Sequence, residues 1–326
     1  MVSESTPTPE TEAAPPRIPR IPRLGAAASG LVALLLVGAL FAIPLLGLLI
    51  APLALLPVVH FQSGGAGGVR AWGPMVGLLV VASVAGMAEY ALPLLAAYLL
   101  LVVLPAVSVE AWARWRWSEG RWVAVTVIVA TILVLVAVAV LAAPLTPMAA
   151  VSGWLRAEAA NASEVYAAFG VAEGEVELAL DAAERVASWV LPSLLVVYLV
   201  IVLFWARPRL ALLGYPMASG AFEDYRNDEW LAAVFAVAGI GTLVLQGTAR
   251  WAALNLLVAA LILYFVQGLA IIRAHLVRWI GRGWLVRWGV VLLSLQVPMP
   301  LFVAALGVAD SFHSLRPRVD EDGGTE

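Results

Sequence analysis

The chain contains no cysteine and no lysine, and only 13% of its 326 residues are charged. Without cysteine there is no disulfide framework, no thiolate metal site and no thiol nucleophile. All 19 basic residues are arginine, which reads as a compositional habit rather than as chemistry. A net charge of −3 gives no basic field for nucleic acid, which is therefore not an expected partner. The three histidines, His60, His275 and His313, stand on separate segments without metal-ligand spacing. No glycine-rich loop has a Walker A pattern and no serine sits in a nucleophile elbow. Neither a cofactor nor an enzymatic centre is expected.

Apolar sequence takes the place of what is missing. Hydrophobic residues make up 63% of the chain, whereas a soluble domain is usually under half apolar and about a quarter charged. One core of this size cannot hide that much apolar surface from water. Val123 to Pro144 and Trp189 to Ala206 are free of charge, and a bilayer crossing needs about 20 apolar residues as helix. Barrel strands would alternate apolar and polar residues, and these runs do not. The expected fold is an all-α, polytopic transmembrane helix bundle in contact with the lipid bilayer.

Residues 1–24 are rich in Pro, Ser, Thr and Glu and end in Pro16-Arg17-Ile18-Pro19-Arg20-Ile21-Pro22-Arg23, a composition that predicts a disordered tail. The apolar region that follows runs too long for a cleaved signal peptide. A membrane domain is expected over 25–312 and a polar tail over 313–326. Pro44, Gly47, Pro52 and Pro57 divide the first apolar stretch into legs near 26–44 and 47–62. A glycine turn at 64–68 follows, with further spans near 71–88, 91–109, 122–144, 189–206, 230–248, 251–272 and 284–307. The total is about nine.

The positive-inside rule orients these spans. With a cytoplasmic N-terminus in the cell membrane, the inner segments hold Arg17, Arg20, Arg23, Arg70, Arg114, Arg116, Arg121, Arg207, Arg209, Arg226, Arg273, Arg278, Arg282 and Arg287. The outer side holds Arg156, Arg185 and Arg250, with Arg316 and Arg318 in the tail. Merging the first two legs would invert this pattern, so the split is preferred. The outer segment 146–188 is acidic. Val176, Leu180, Ala183 and Val186 recur at helical spacing there, predicting an amphipathic helix leading into the next span. Such a helix is either a solvated connection or a lid over an outward-facing cavity. Asn161-Ala162-Ser163 matches a glycosylation acceptor, a triplet that arises often by chance.

A charge at the bilayer centre costs about 2.5–3.5 kcal/mol, so polar groups at that depth invite a functional reading. The spans hold mainly amides and hydroxyls: Asn255, Gln267, Ser294 and Gln296. Glu89 and Glu110 fall near helix ends, within reach of water. Asn255 and Gln267 are separated by about three helical turns and are expected on one face, lining a cavity or bonding neighbouring helices. Pro298 and Pro300 break the last span beside Gln296, where freed carbonyls either coordinate a ligand or mark a packing kink. The run Trp112-Ala113-Arg114-Trp115-Arg116-Trp117 reads as an aromatic and basic anchor at the membrane interface.

Two segments carry a family resemblance. Tyr264-Phe265-Val266-Gln267-Gly268-Leu269 within one span, and Leu306-Gly307-Val308-Ala309-Asp310-Ser311-Phe312 running to Arg316, resemble the YybS-like family of multi-pass bacterial membrane proteins. That family is distantly similar to the substrate-binding components of energy-coupling-factor transporters and to the rod-shape protein MreD. The resemblance implies a small-solute binding or transport component working with energising membrane subunits. A non-transporting scaffold in envelope assembly, with other membrane subunits as partners, is the alternative. On the first reading Asn255, Gln267 and Gln296 line a cavity. Small residues of the first helix, among them Gly25, Ala26, Ser29, Gly30 and Ala33, then form a docking surface. Complete packing of the amides against neighbouring helices would count against it.

Overall fold

Prolines set most of the breaks. The computed structural model describes residues 25–62, 69–85, 88–168, 173–213, 215, 221–280, 296, 298–313 and 315–316, and among them there are helices and turns but no strand. Helix α1 (Ala26–Ala42) ends at Ile43, where Pro44 opens α2 (Pro44–Ile50). A 3-10 turn, Ala51–Ala54, leads into α3 (Leu55–Gln62), which folds back along α1. Then come α4 (Val69–Val84), α5 (Ala88–Tyr98), a π-helical turn at Leu99–Val103, and α6 (Leu104–Trp115). The Pro105 ring would meet the Leu101 carbonyl in a regular helix, and the wider π turn makes room for it.

Ser118 caps α7 (Glu119–Ala142) by accepting the Arg121 N–H at 3.1 Å. Helix α8 (Pro147–Ala168) and the first half of α9 (Glu173–Leu212) form a hairpin at one end of the bundle. Three further helices complete the fold: α10 (Trp230–Val244), α11 (Gly247–Ile280) and α12 (Met299–Phe312). A loop with a 3-10 turn at Phe222–Asp224 precedes α10.

Four stretches are long and apolar enough to cross a bilayer: Ala91–Trp115, Glu119–Ala142, Leu195–Leu212 and Gly247–Leu276. The other apolar helices among the described residues are shorter: Ala26–Ala42, Ala51–Gln62, Gly73–Val84, Trp230–Val244 and Met299–Phe312. Of the about nine crossings expected from the sequence, four are of spanning length among the described residues. Proline and turn residues cut the rest: α12, with 14 residues, is about 21 Å long at 1.5 Å per residue. The tail over 1–24, the glycine turn at 64–68, most of the expected span at 284–307 and the tail beyond Arg316 lie outside the described residues.

The core joins both halves of the chain: Val58, Tyr98, Trp112, Trp122, Leu199, Leu203, Leu263 and Tyr264 are all buried in it. Large apolar side chains remain exposed on the flanks, including Leu133, Val140, Ile240, Leu243, Leu301 and Phe302. On helices this apolar, such a surface faces lipid.

Helices α11 and α12 pack closest. At their crossing a methyl on Gly268 would lie 1.9 Å from the Val303 carbonyl oxygen, and one on Gly307 2.0 Å from that of Tyr264. Only glycine lets the two backbones approach so far. Both segments of the family resemblance meet at this crossing.

Candidate functional site

Proline 192 lacks an N–H, so inside α9 the Ser188 carbonyl one turn earlier has no helical donor. The Trp251 indole of α11 supplies one at 3.1 Å. One position further on, Asn255 behaves as a substitute peptide group. Its Oδ1 accepts the Ser193 N–H at 3.2 Å and the Ser193 hydroxyl at 2.7 Å. Its Nδ2 donates to the Trp189 carbonyl at 2.8 Å and to the Trp251 carbonyl at 2.9 Å. The side chain has 0% exposure. Asn255 therefore mends the break in α9 and ties it to α11.

The second amide is equally occupied. Gln267, also 0% exposed, accepts the Asn227 N–H at 3.1 Å and donates to Asp310 Oδ2 at 2.8 Å. Asn227 in turn donates to the Leu263 carbonyl at 3.0 Å and accepts the Tyr225 hydroxyl at 2.8 Å. Asp310, 1% exposed, accepts the Leu315 N–H at 3.0 Å and has Arg316 at 3.6 Å. Arg316 also donates to the Tyr225 carbonyl, and Arg226 to the Asp310 carbonyl at 3.4 Å. This network closes the crossing of α11 and α12 against the loop before α10.

Further ion pairs ring the network. Arg207 meets Glu119 at 2.6 Å and Arg273 meets Glu223 at 2.7 Å, while Arg121 pairs with Asp228. Gly120 lies so close to the loop that a methyl on it would fall 1.7 Å from the Arg226 carbonyl oxygen. Burial holds the Tyr225 hydroxyl well above its usual range, so it stays a neutral donor to Asn227. Burial lowers the Arg316 pKa, and the neighbouring Asp310 carboxylate works against that shift.

The sequence-derived inner arginines Arg121, Arg207, Arg226 and Arg273 do gather at one end of the bundle. Arg316, expected on the opposite side, joins them there because α12 runs parallel to α11 and ends beside it.

The opposite end carries a solvent-open cleft of about 370 Å³ between α8 and α9, lined by Arg156, Asp181, Glu184, Arg185, Ser188 and Trp189. Arg156 bridges the two helices to Glu184 at 2.7 Å. That hydrogen bond is the main cause of the lowered Glu184 pKa and the raised Arg156 pKa. The outer segment thus holds two helices: α8, which includes Asn161, and the first half of α9, which covers 176–186 and runs on into the next span.

The other expected site residues disperse. Twelve residues are 3.3 turns, so Asn255 and Gln267 point about 120° apart and sit about 18 Å apart along α11 rather than sharing a face. Gln296 is exposed, and its carbonyl accepts the Met299 N–H at 2.7 Å in the turn before α12. Gly30 and Ala33 turn inward: Gly30 is buried with its carbonyl 3.5 Å from the Tyr98 hydroxyl, and Ala33 is fully buried. They cannot form a surface for a partner while so packed, and Ala26 is half-buried. Sequence reasoning passed over Ser193, Tyr225 and Asn227, and singled out Asp310 and Arg316 only within the family resemblance, without a role. The missed signals were Pro192 in the middle of an apolar run and a lone aspartate in the last apolar segment. Among the described residues, no three His, Asp or Glu side chains converge on a metal-sized volume.

The family described as "Predicted membrane protein (DUF2232)" matches residues 30–311. The chain belongs to this family. The DUF2232 match runs from α1 through the α11–α12 crossing and includes every residue of the Asn255 and Gln267 contacts except Leu315 and Arg316. No curated protein and no solved structure matches the chain. It is a membrane protein built of apolar helices.

Proposed function

We propose that this protein is a membrane-embedded scaffold, a fixed bundle that holds other envelope subunits in place, and that α11 lines no solute path. One observation carries the reading: Asn255 and Gln267, the amides best placed to line a cavity, spend their polar atoms on other helices and loops of the same chain. A transport path needs polar groups that face a solute and helices free to move past one another. Here α9 is braced to α11 through Trp251 and Asn255, and α11 to α12 through Gln267 and Asp310.

Native mass spectrometry of the chain, released from its own membranes in mild detergent, tests this. A second polypeptide in fixed stoichiometry with no small-molecule adduct is the expected result. A tightly held small solute on the chain alone would overturn it.

The cleft between α8 and α9 favours a second reading, a solute-binding component open at the acidic end. Two guanidinium groups, two carboxylates and an indole face fit a small zwitterion with an apolar part. On this reading a solute adduct disappears in Asp181→Asn and Arg185→Gln. Retention of the adduct in both variants rules the cleft out.

A further inference from the structure

At the arginine-rich end, the described arginines are mostly committed within the protein. Arg121, Arg207, Arg273 and Arg316 each have a carboxylate, Arg226 donates to the Asp310 carbonyl, and Arg209 lies 3.4 Å over the Trp205 ring. Arg114 and Arg116, in the turn from α6 to α7, are the exceptions: both are exposed, and neither has an ion pair or hydrogen bond among the described residues. Between them Trp115 is 59% exposed, with its ring 5.0 Å from that of Trp117.

The turn that presents them is rigid. Trp112 is fully buried, stacks on Trp122 at 4.3 Å with the rings 2° from parallel, and donates to the Trp117 carbonyl at 3.0 Å. Trp122 is fastened to the Ser108 hydroxyl at 2.9 Å. Ser118 caps α7 and reaches Asp228 at 3.0 Å, which fixes the turn to the loop before α10. Arg116 occupies the left-handed position that ends α6, with φ 50° and ψ 42°. Glycine is the usual residue there because a side chain costs energy in that conformation. The chain keeps an exposed guanidinium at that position all the same.

We propose that the α6–α7 turn is a binding site for the phosphate headgroup of an anionic phospholipid. The membrane supplies this occupant because the turn closes two stretches of spanning length, Ala91–Trp115 and Glu119–Ala142. It therefore sits at headgroup depth, where an exposed tryptophan is at home. Two exposed guanidinium groups on one short turn, without a carboxylate partner among the described residues, suit a phosphodiester, with Trp115 against the glycerol and upper acyl region. The scaffold reading is not needed for this inference.

The test titrates tail-labelled fluorescent phosphatidylglycerol, with phosphatidylcholine of the same chains as control, against the full chain in neutral detergent micelles. Each surface arginine contributes about fivefold to the affinity for an anionic headgroup, so Arg114→Gln with Arg116→Gln is expected to weaken phosphatidylglycerol binding about 25-fold. Arg114→Lys with Arg116→Lys should keep most of it, and phosphatidylcholine should bind weakly throughout. Equal binding of the two lipids, or a double glutamine variant that binds as the parent does, overturns the proposal. Should that variant not fold, salt decides on the parent chain. Phosphatidylglycerol affinity must then fall as ionic strength rises, and a salt-independent affinity overturns the site.

Discussion

Replacing Asn255 by leucine keeps the volume of the side chain and removes its polar atoms. Three of the bonds it makes cross to α9: from the Ser193 N–H at 3.2 Å, from the Ser193 hydroxyl at 2.7 Å, and to the Trp189 carbonyl at 2.8 Å. Interhelical hydrogen bonds in membranes average about 0.6 kcal/mol, so losing three costs about 2 kcal/mol. The Ser193 N–H and the Trp189 carbonyl are helical partners of one another within α9, so they recover part of the loss by bonding together. The Ser193 hydroxyl also keeps its 2.9 Å bond to the backbone carbonyl of residue 255. A destabilisation of about 1–2 kcal/mol is expected for Asn255→Leu, read by reversible unfolding in detergent. A double-mutant cycle with Ser193→Ala should show a coupling of about 1 kcal/mol, as for residues in direct contact. An Asn255→Leu protein as stable as its parent, or a coupling near zero, would refute the account of α9 as a mended helix. Loss of a bound solute without loss of stability would place Asn255 in a cavity instead.

Gly307→Ala and Gly268→Ala should each destabilise the protein by about 1–3 kcal/mol in the same assay, because the added methyl meets backbone that cannot move aside. Arg207→Ala leaves Glu119 without the guanidinium 2.6 Å away, and breaking so buried a pair costs about 3–5 kcal/mol, measured as a lower unfolding midpoint. The Glu184 pKa is lowered in the folded chain, so its pairing with Arg156 contributes above the ordinary glutamate value of 4.5 and is lost as pH falls through the lower folded value. Hydrogen-exchange protection factors in the α8–α9 hairpin, corrected for the intrinsic pH dependence of exchange, should therefore fall in acid, and Arg156→Gln should abolish that change.

The apolar runs and their proline interruptions carried the class of the protein and most helix positions, since hydrophobicity and ring sterics are local properties. What each polar group does was not legible in the same way. Asn255 and Gln267 stand out as amides in apolar sequence, yet their roles depend on Ser193, Asn227 and Asp310, which lie 62, 40 and 43 residues away along the chain. Helical periodicity says which residues share a face on one helix but not which neighbour covers that face. The same limit explains Gly30 and Ala33: a row of small residues permits close approach by any helix, and here helices of the same chain take the place of a partner. The grouping of Arg121, Arg207, Arg226 and Arg273 at one end of the bundle was easier to read, because it follows from alternating helix ends and does not require knowing their partners. Arg316 escaped that logic, as its side depends on where α12 begins and on the direction in which it runs.

That direction has a practical corollary. Leu315 and Arg316 are held against His275 and Tyr225, so the polypeptide leaves α12 on the side that displays Arg121 and Arg226. A compartment-sensitive reporter attached downstream of position 316 and an accessibility tag inserted near residue 229 should therefore give the same readout, while a tag near residue 145 should give the opposite one.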